Sequence, residues 1–479
     1  MAKPVISDVL AMRYATSAMA EVWSAESKIR CERQLWLAIL EAQAQLGLEI
    51  STEDITAYVV VYDQIDLTSI KKRELTTKQD VKARIEEFNA LASQQRGKPL
   101  ELIHQGLTSR DLTDNVEQWQ ILQSLHLVRD RTVAILQRLG KKSLEYIHLD
   151  ICGRTHNVPA QVITLGKRLA NYAEELLLAF DHLEYLLDNY PLRGIKGPTG
   201  TQQDMTALLG QRAVSLEDVV SMHLDFEEVF NCVGQVYPRS LDFEVLSILV
   251  QLASAPGNFA KMIRLMAGNE LAHEGFKEGQ TGSAGMPHKM NSRTCERINS
   301  LVIVLGGFQE MVKGLVGDQW NEGDVSCSVV RRVALPQAFF AMDGIFESTL
   351  TVLDEMEVFP GMIKRELELY LPFLSSTKLL VEALKQGGGR ETVHATIKKH
   401  AVAAIKSVRA GGENTFIESL AAASTASTFP LKLDRILELT SRPDHGLAEN
   451  QVKQICSRIR EITKRFPDEV VHYQPEPLL

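Results

Sequence analysis

The sequence predicts an all-α fold whose middle is a bundle of five long helices. Apolar residues recur at helical spacing over runs of about 30 residues, alternating β-branched patterns are scarce, and the flanks break into shorter pieces. Residues 1–113 read as short helices separated by polar turns. The first long helix is expected from Asn115 to His148, with Leu122, Leu125, Val133, Leu136, Leu144 and Ile147 on one stripe. The second is expected from Pro159 to Tyr190, with Val162, Leu165, Leu169, Tyr172, Leu176, Phe180, Leu183 and Leu187 on a narrow face. The third covers Leu241 to Glu270, with a kink expected at Pro256-Gly257. The fourth carries Ile298, Leu301, Leu305, Phe308, Val312 and Leu315, and the fifth follows Arg331. After Val358-Phe-Pro-Gly361 the pattern shortens, and Gln386-Gly-Gly-Gly389 interrupts it. Three domains are therefore expected, at 1–113, 114–359 and 360–479. Helices of that length reach about 45 Å, and their apolar stripes cover more faces than one chain can bury. The bundle is expected to pack against other copies of itself.

Composition narrows the function classes. The chain has 479 residues, 45% hydrophobic and 24% charged, as in an ordinary globular protein. A net charge of -9 leaves no broad basic face for nucleic acid, though it permits a small anionic substrate held by local cations. No apolar run approaches a membrane span, and no basic-then-apolar signal order opens the chain, so neither membrane nor export is expected. The six cysteines are scattered without a C-x-x-C pair, which reads as reduced thiols of a cytoplasmic protein. The 12 histidines do not cluster at ligand spacing, so no metal is expected.

Four segments carry chemistry. Gly282-Ser-Ala-Gly-Met-Pro-His-Lys-Met-Asn291 is a poor helix or strand and a good loop. Such a loop can bring Ser283, Lys289 and several backbone N–H groups onto an anion. The segment Cys152-Gly-Arg-Thr-His156-Asn-Val-Pro-Ala-Gln161 leads into the second expected helix and puts a histidine at its start. Alone, His156 reads as a turn residue bonding the backbone. Beside a base it becomes a candidate acid, since imidazole is poised near neutral pH. His104-Gln-Gly-Leu-Thr-Ser-Arg-Asp-Leu-Thr-Asp-Asn115 caps the first long helix, and hydroxyls at a helix N-terminus also favour carboxylates. Gly194-Ile-Lys-Gly-Pro-Thr-Gly-Thr-Gln202 is glycine-rich but lacks the G-K-[ST] ending of a P-loop.

The 282–291 run resembles the G-S-S-x-M-P-x-K-x-N loop of the fumarase/aspartase superfamily, matching at Gly282, Ser283, Met286, Pro287, Lys289 and Asn291. Ala284 stands where the pattern has its second Ser. Thr155, His156, Ala160 and Gln161 match a T-H-x-x-x-A-Q motif of the same superfamily. His104, Gly106, Thr108 and Ser109 match its H-x-G-x-T-S core. Over nearly the whole chain the resemblance is closest to the adenylosuccinate lyase family. Its K-G-x-T-G-T-Q stretch is similar to Lys196–Gln202, its R-Y element to Arg13-Tyr14, and its R-H-D-V segment to Lys78-Gln79-Asp80-Val81. The N-P-x-x-S-E-R continuation resembles Asn291–Arg297, with Ser292 and Cys295 departing from it. E-R-x-L-D-x-S-x-x-R-R resembles Glu322–Arg332, with Gly323 in place of the usual Arg. Gln79 replaces a usual His and can hydrogen-bond but not carry a proton.

The resemblance implies a superfamily fold and a homotetramer whose sites are each built from three chains. It also implies a cofactor-free elimination of fumarate from purine ribotides. By the same resemblance Ser283 is the base, His156 the acid held by Glu296, and Lys289 a stabilising cation. Implied substrate contacts are Arg13, Tyr14, Gln79, Asp80, His104, Thr108, Ser109, Thr155, Gln202, Met286, Asn291, Arg297, Ser328, Arg331 and Arg332. The alternatives are another superfamily lyase, such as argininosuccinate lyase, aspartase, fumarase or a carboxymuconate cycloisomerase, and a catalytically silent scaffold.

Overall fold

The structure is a computed structural model that describes residues 7–276, 279, 283, 285–425 and 429–478. The N-terminal region holds α1 (Val9–Arg13), α2 (Ser17–Val22), α3 (Ala25–Gln45), α4 (Thr52–Val60), α5 (Leu67–Thr77) and α6 (Asp80–Arg96). The long α7 (Ser109–Glu145) is followed by a hairpin, β1 (Asp150–Thr155) and β2 (Val158–Thr164), and then by α8 (Leu165–Asp188). Short helices α9 (Gln203–Leu209) and α10 (Leu216–His223) precede α11 (Ser240–Gly268). β3 (Ala272–His273) leads towards α12 (Arg293–Lys313) and α13 (Cys327–Glu355), and β4 (Glu357–Val358) pairs back on β3. The chain ends with α14 (Pro360–Leu374), α15 (Ser376–Lys385), α16 (Arg390–Arg409), α17 (Phe416–Thr425), α18 (Leu433–Thr440), α19 (Ala448–Thr463) and α20 (Asp468–Val471).

The five long helices are α7, α8, α11, α12 and α13, and they pack on one another as the bundle. Leu125, Val133 and Leu136 of α7 are fully buried, as are Leu169, Leu176 and Leu183 of α8. Each such side chain contributes roughly 1.5–3 kcal/mol of apolar burial. Leu144, at the end of the predicted stripe and one residue before α7 ends, is 40% exposed. Pro256 sits inside α11, where it removes one i→i−4 hydrogen bond. The region after residue 360 feeds two cores. Leu379, Phe416 and Ile436 pack together, whereas Ile459, Ile462 and Val471 join the main core beside the bundle.

One expectation is corrected. The second long helix begins at Leu165, not Pro159, because residues 150–164 form an antiparallel hairpin. His156 and Asn157 are its two turn residues, with φ of 51° and 60°. Two successive positive φ values are the requirement of a type I′ turn, which matches the twist of the flanking strands. His156 therefore stands at a hairpin tip and not at a helix start.

Candidate active site

Three helix N-termini meet at one end of the bundle. Gln79 caps α6, its Oε1 accepting the Lys82 N–H at 2.9 Å, and its Nε2 donates to Ser109 Oγ at 3.1 Å. Thr108 caps α7, its own N–H donating to the Asp111 carboxylate at 2.8 Å. Arg110 reaches from α7 to the first turn of α13 and donates to Ser328 Oγ at 2.6 Å. Arg332, one turn further along α13, is 61% exposed and lies 3.7 Å from Asp80. Burial pushes the Asp80 carboxyl up, but Arg84, the Val81 N–H and Arg332 outweigh it, and the net shift is downward. Free N–H groups and aligned peptide dipoles at such ends attract anions.

The glycine-rich segment is tied to this end by one carboxylate. Asp111, fully buried, accepts from Arg193 at 2.5 Å and from the Lys196 and Gly197 N–H groups at 3.0 Å each. Gln202 folds back on its own loop, Nε2 donating to the Ile195 carbonyl at 3.0 Å. His104 is half-buried, and burial pushes its imidazole down to about 4. It is neutral, and its Nδ1 accepts from Trp36 Nε1 at 3.1 Å.

Arg331 and Arg332 part company. Arg331 is 1% exposed and bonds Asp242 at 2.8 Å, the Tyr237 hydroxyl at 2.5 Å and the Glu117 carboxylate. Successive residues on a helix point about 100° apart, so one faces the core and its neighbour faces solvent. Within this chain Arg331 has no face open to a ligand, contrary to the expectation that it contacts substrate. Arg331→Ala takes the arginine from buried Asp242 and Glu117, leaving the Tyr237 hydroxyl and Lys28 beside them, and is expected to destabilise the fold by about 3–5 kcal/mol. Arg332→Ala should change stability by less than about 0.5 kcal/mol while weakening substrate binding. Denaturant melts of the two variants check this; equal losses would assign both arginines to the core.

Of the remaining expected residues, Tyr14 lies against Gly344 just past the middle of α13, and the Ser283 loop starts at its C-terminal end. Gly275 abuts the Glu355 carbonyl, where an added Cβ would come within 2.3 Å, so the loop leaves the bundle there. Glu274, 3% exposed, accepts the Thr294 and Cys295 N–H groups at 2.9 and 2.8 Å and caps the start of α12. The loop is thus pinned at both ends by one buried carboxylate. Ser283 is half-buried and its Oγ accepts the Met286 N–H at 3.3 Å. Lys289 and Met286 are exposed; Gly282 and Ala284 lie outside the described residues. Glu296 is exposed and lies 3.9 Å from Arg264. Arg297 stacks over the Tyr14 ring at 5.8 Å, next to the exposed Arg13.

Two cavities flank the C-terminal end of α11. One, of about 380 Å³, is lined by Arg154, Asn157, Tyr172 and Lys261 and lies under the hairpin tip with exposed Thr155 and His156. The other, of about 720 Å³, is lined by Lys261, Arg264, Lys289, Asn291, Ser292 and Glu296. Lys261 and Leu265 border both. From Ser328 to Glu355 along α13 is about 40 Å at 1.5 Å per residue. The Ser109–Ser328 end and the anchor of the Ser283 loop therefore lie far apart in one chain. Sequence reasoning passed over Arg110, Asp111, Lys261 and Glu274. Arg110 and Asp111 stood inside a capping segment, and nothing in their spacing signals a partner across the fold.

No helix among the described residues is long and apolar enough to cross a membrane. Comparison with known proteins adds the family. Residues 4–307 match a family model described as lyase. A Saccharomyces cerevisiae protein named adenylosuccinate lyase is 30% identical over 96% of this chain and 97% of its own length. A Methanothermobacter thermautotrophicus protein of the same name is 29% identical over 83% of this chain and 87% of its own. Among solved structures, a fumarate lyase from a Mesorhizobium species superposes with TM-score 0.79 at 19% identity, covering 95% of this chain and all of that one (100%). A 3-carboxy-cis,cis-muconate lactonizing enzyme from Pseudomonas putida gives TM-score 0.78 at 19% identity over 95% of this chain and 99% of its own. At that identity these two establish the fold alone. The chain belongs to the adenylosuccinate lyase family of the fumarase/aspartase superfamily.

Proposed function

We propose that this chain eliminates fumarate from adenylosuccinate, giving AMP, and from the carboxamide ribotide SAICAR, giving AICAR, as a cytoplasmic homotetramer. The observation that carries the reading is the near full-length match to relatives named for the first of these reactions. The chain keeps a base, an acid and a loop cation to perform it. Ser283, ionised inside the closed loop, takes the proton from the succinyl carbon next to a carboxylate. The electron pair moves into that carboxylate as a dianionic aci form, the C–N bond breaks, and His156 protonates the departing purine nitrogen. Lys289, Asn291 and the Thr108/Ser109 end stabilise the developing charge, the electrostatic contribution that is usually largest. A serine base requires excluded water and a nearby cation, which Lys289 supplies when the loop closes. No cofactor enters this scheme.

The tetramer is supported by packing. Ile303, Met311, Trp320, Val329 and Val333 are exposed apolar residues on and between α12 and α13, from 40% to 77% exposed. An exposed apolar face of this kind marks an interface. Packing of this face on a second copy would be the way to bring the Ser328 end of one chain to the loop anchor of another.

The test is an absorbance assay with adenylosuccinate, SAICAR, argininosuccinate, malate and aspartate. Turnover is expected for the first two only, and turnover of argininosuccinate instead would overturn the reading. Gln79 offers a second check, because its amide both caps α6 and holds Ser109. A histidine ring can replace one of those bonds, so Gln79→His should keep kcat/KM within about tenfold. Collapse of kcat/KM in a well-folded Gln79→His tetramer would show that both bonds are needed.

A further inference from the structure

We propose that Arg110 recognises the phosphate group of the substrate, together with the Ser328 hydroxyl and Arg332. This rests on the ribotide reading of the site and assigns the phosphate a cation that the sequence motifs do not contain.

Four observations converge on Arg110. Its Nη2 already donates to Ser328 Oγ at 2.6 Å, although the two residues are 218 positions apart. Its Nη1 donates to Asp114 at 2.9 Å, which fixes the guanidinium plane. Asp114 is shared with Arg239 at 2.8 Å and Arg331 at 3.7 Å, so it does not neutralise Arg110 alone. The side chain is only 11% exposed, so it is largely stripped of bulk water and held in one orientation. A planar, pre-oriented guanidinium beside a hydroxyl suits a phosphate better than a mobile lysine does.

The segment leading into α13 offers no substitute. A Cβ at Gly323 would meet the Gln235 Cβ at 2.6 Å, and the neighbouring Glu322 carbonyl is taken by the Gln235 N–H at 2.6 Å. A side chain at 323 therefore has no room, and the cation must come from another element. Arg110 comes from α7, and Arg332 flanks Ser328 from the following turn of α13. The plain alternative is a helix salt bridge, since Arg110 and Asp114 are four residues apart. That alternative leaves the position unexplained. A cation in the first turn of a helix opposes the macrodipole, and an i,i+4 pair with the cation N-terminal to the carboxylate is the less favourable order. An anion bound between Arg110, Ser328 and the helix N-termini removes the conflict.

The experiment compares adenylosuccinate with its dephosphorylated nucleoside, succinyladenosine, as substrates of the full-length enzyme. In Arg110→Met the KM for the phosphorylated substrate is expected to rise about 10- to 100-fold, the cost of one lost charged hydrogen-bond partner. The KM for the nucleoside should stay at the wild-type value, and Arg110→Lys should recover part of the loss. Melting curves and assembly state, measured alongside, separate folding from recognition. Equal losses of kcat/KM on both substrates would assign Arg110 a purely structural role and overturn the proposal. An enzyme in which wild type turns over neither substrate would remove the ribotide reading and this assignment together.

Discussion

Ser283→Ala is expected to lower turnover by about 10²- to 10⁴-fold, while the dissociation constant for substrate moves by no more than a few-fold. The asymmetry follows from where the group acts. A general base contributes only as the proton leaves carbon, so its removal is felt in the transition state and scarcely in the ground state. In the resting loop the Ser283 hydroxyl merely accepts the Met286 N–H at 3.3 Å, a bond the fold does not depend on. Pre-steady-state binding of adenylosuccinate together with single-turnover kinetics separates the two quantities. A variant with more than about a tenth of wild-type turnover would move the base elsewhere. Lys289→Met provides the companion measurement, because Lys289 is exposed and its loss should raise the pH at which activity appears.

The parts of this fold that are repetitive were legible in the sequence, and the parts that depend on a single contact were not. Leu125, Leu136, Leu169 and Leu183 recur at helical spacing, and all four are buried where that spacing places them. The hairpin escaped notice because Val162, Leu165 and Leu169 keep helical spacing across the β2–α8 junction, while Ile151, Val158 and Ile163 carry the strand signal unevenly. What breaks the helix is a turn at His156-Asn157, which needs positive φ at both residues. Arg331 and Arg332 cannot be told apart by a motif, since neighbours in sequence point about 100° apart on α13, one into the core and one into solvent. Burial alone separates them. Asp111 shows the same limit, because its carboxylate joins the Thr108 cap to the Lys196-Gly197 backbone from a distant part of the chain.

The largest effect expected of the assembly is recovery of activity from two dead proteins. On the proposed mechanism Ser283→Ala lacks the base, and Arg332→Glu is expected to repel the substrate anion from the opposite end of the bundle. Along α13 those two ends lie about 40 Å apart, too far for one ribotide to touch both within a chain. A site that uses both therefore draws them from different copies. When the two variants are dissociated reversibly and mixed in equal amounts, random assembly gives roughly a quarter of the sites both intact residues. Activity should return to about that fraction of wild type. His156→Ala in place of Arg332→Glu asks the same of the hairpin, whose tip and the loop base border the same stretch of α11 through Lys261 and Leu265. The structure sets both residues beside that stretch within one chain, so recovery in the second mixture would support the resemblance's arrangement, in which His156 and Ser283 come from different copies, and no recovery would assign them to the same copy. Verified hybrid tetramers that stay inactive in the first mixture would defeat the shared site, and a protein that runs as a monomer with full activity would do so outright.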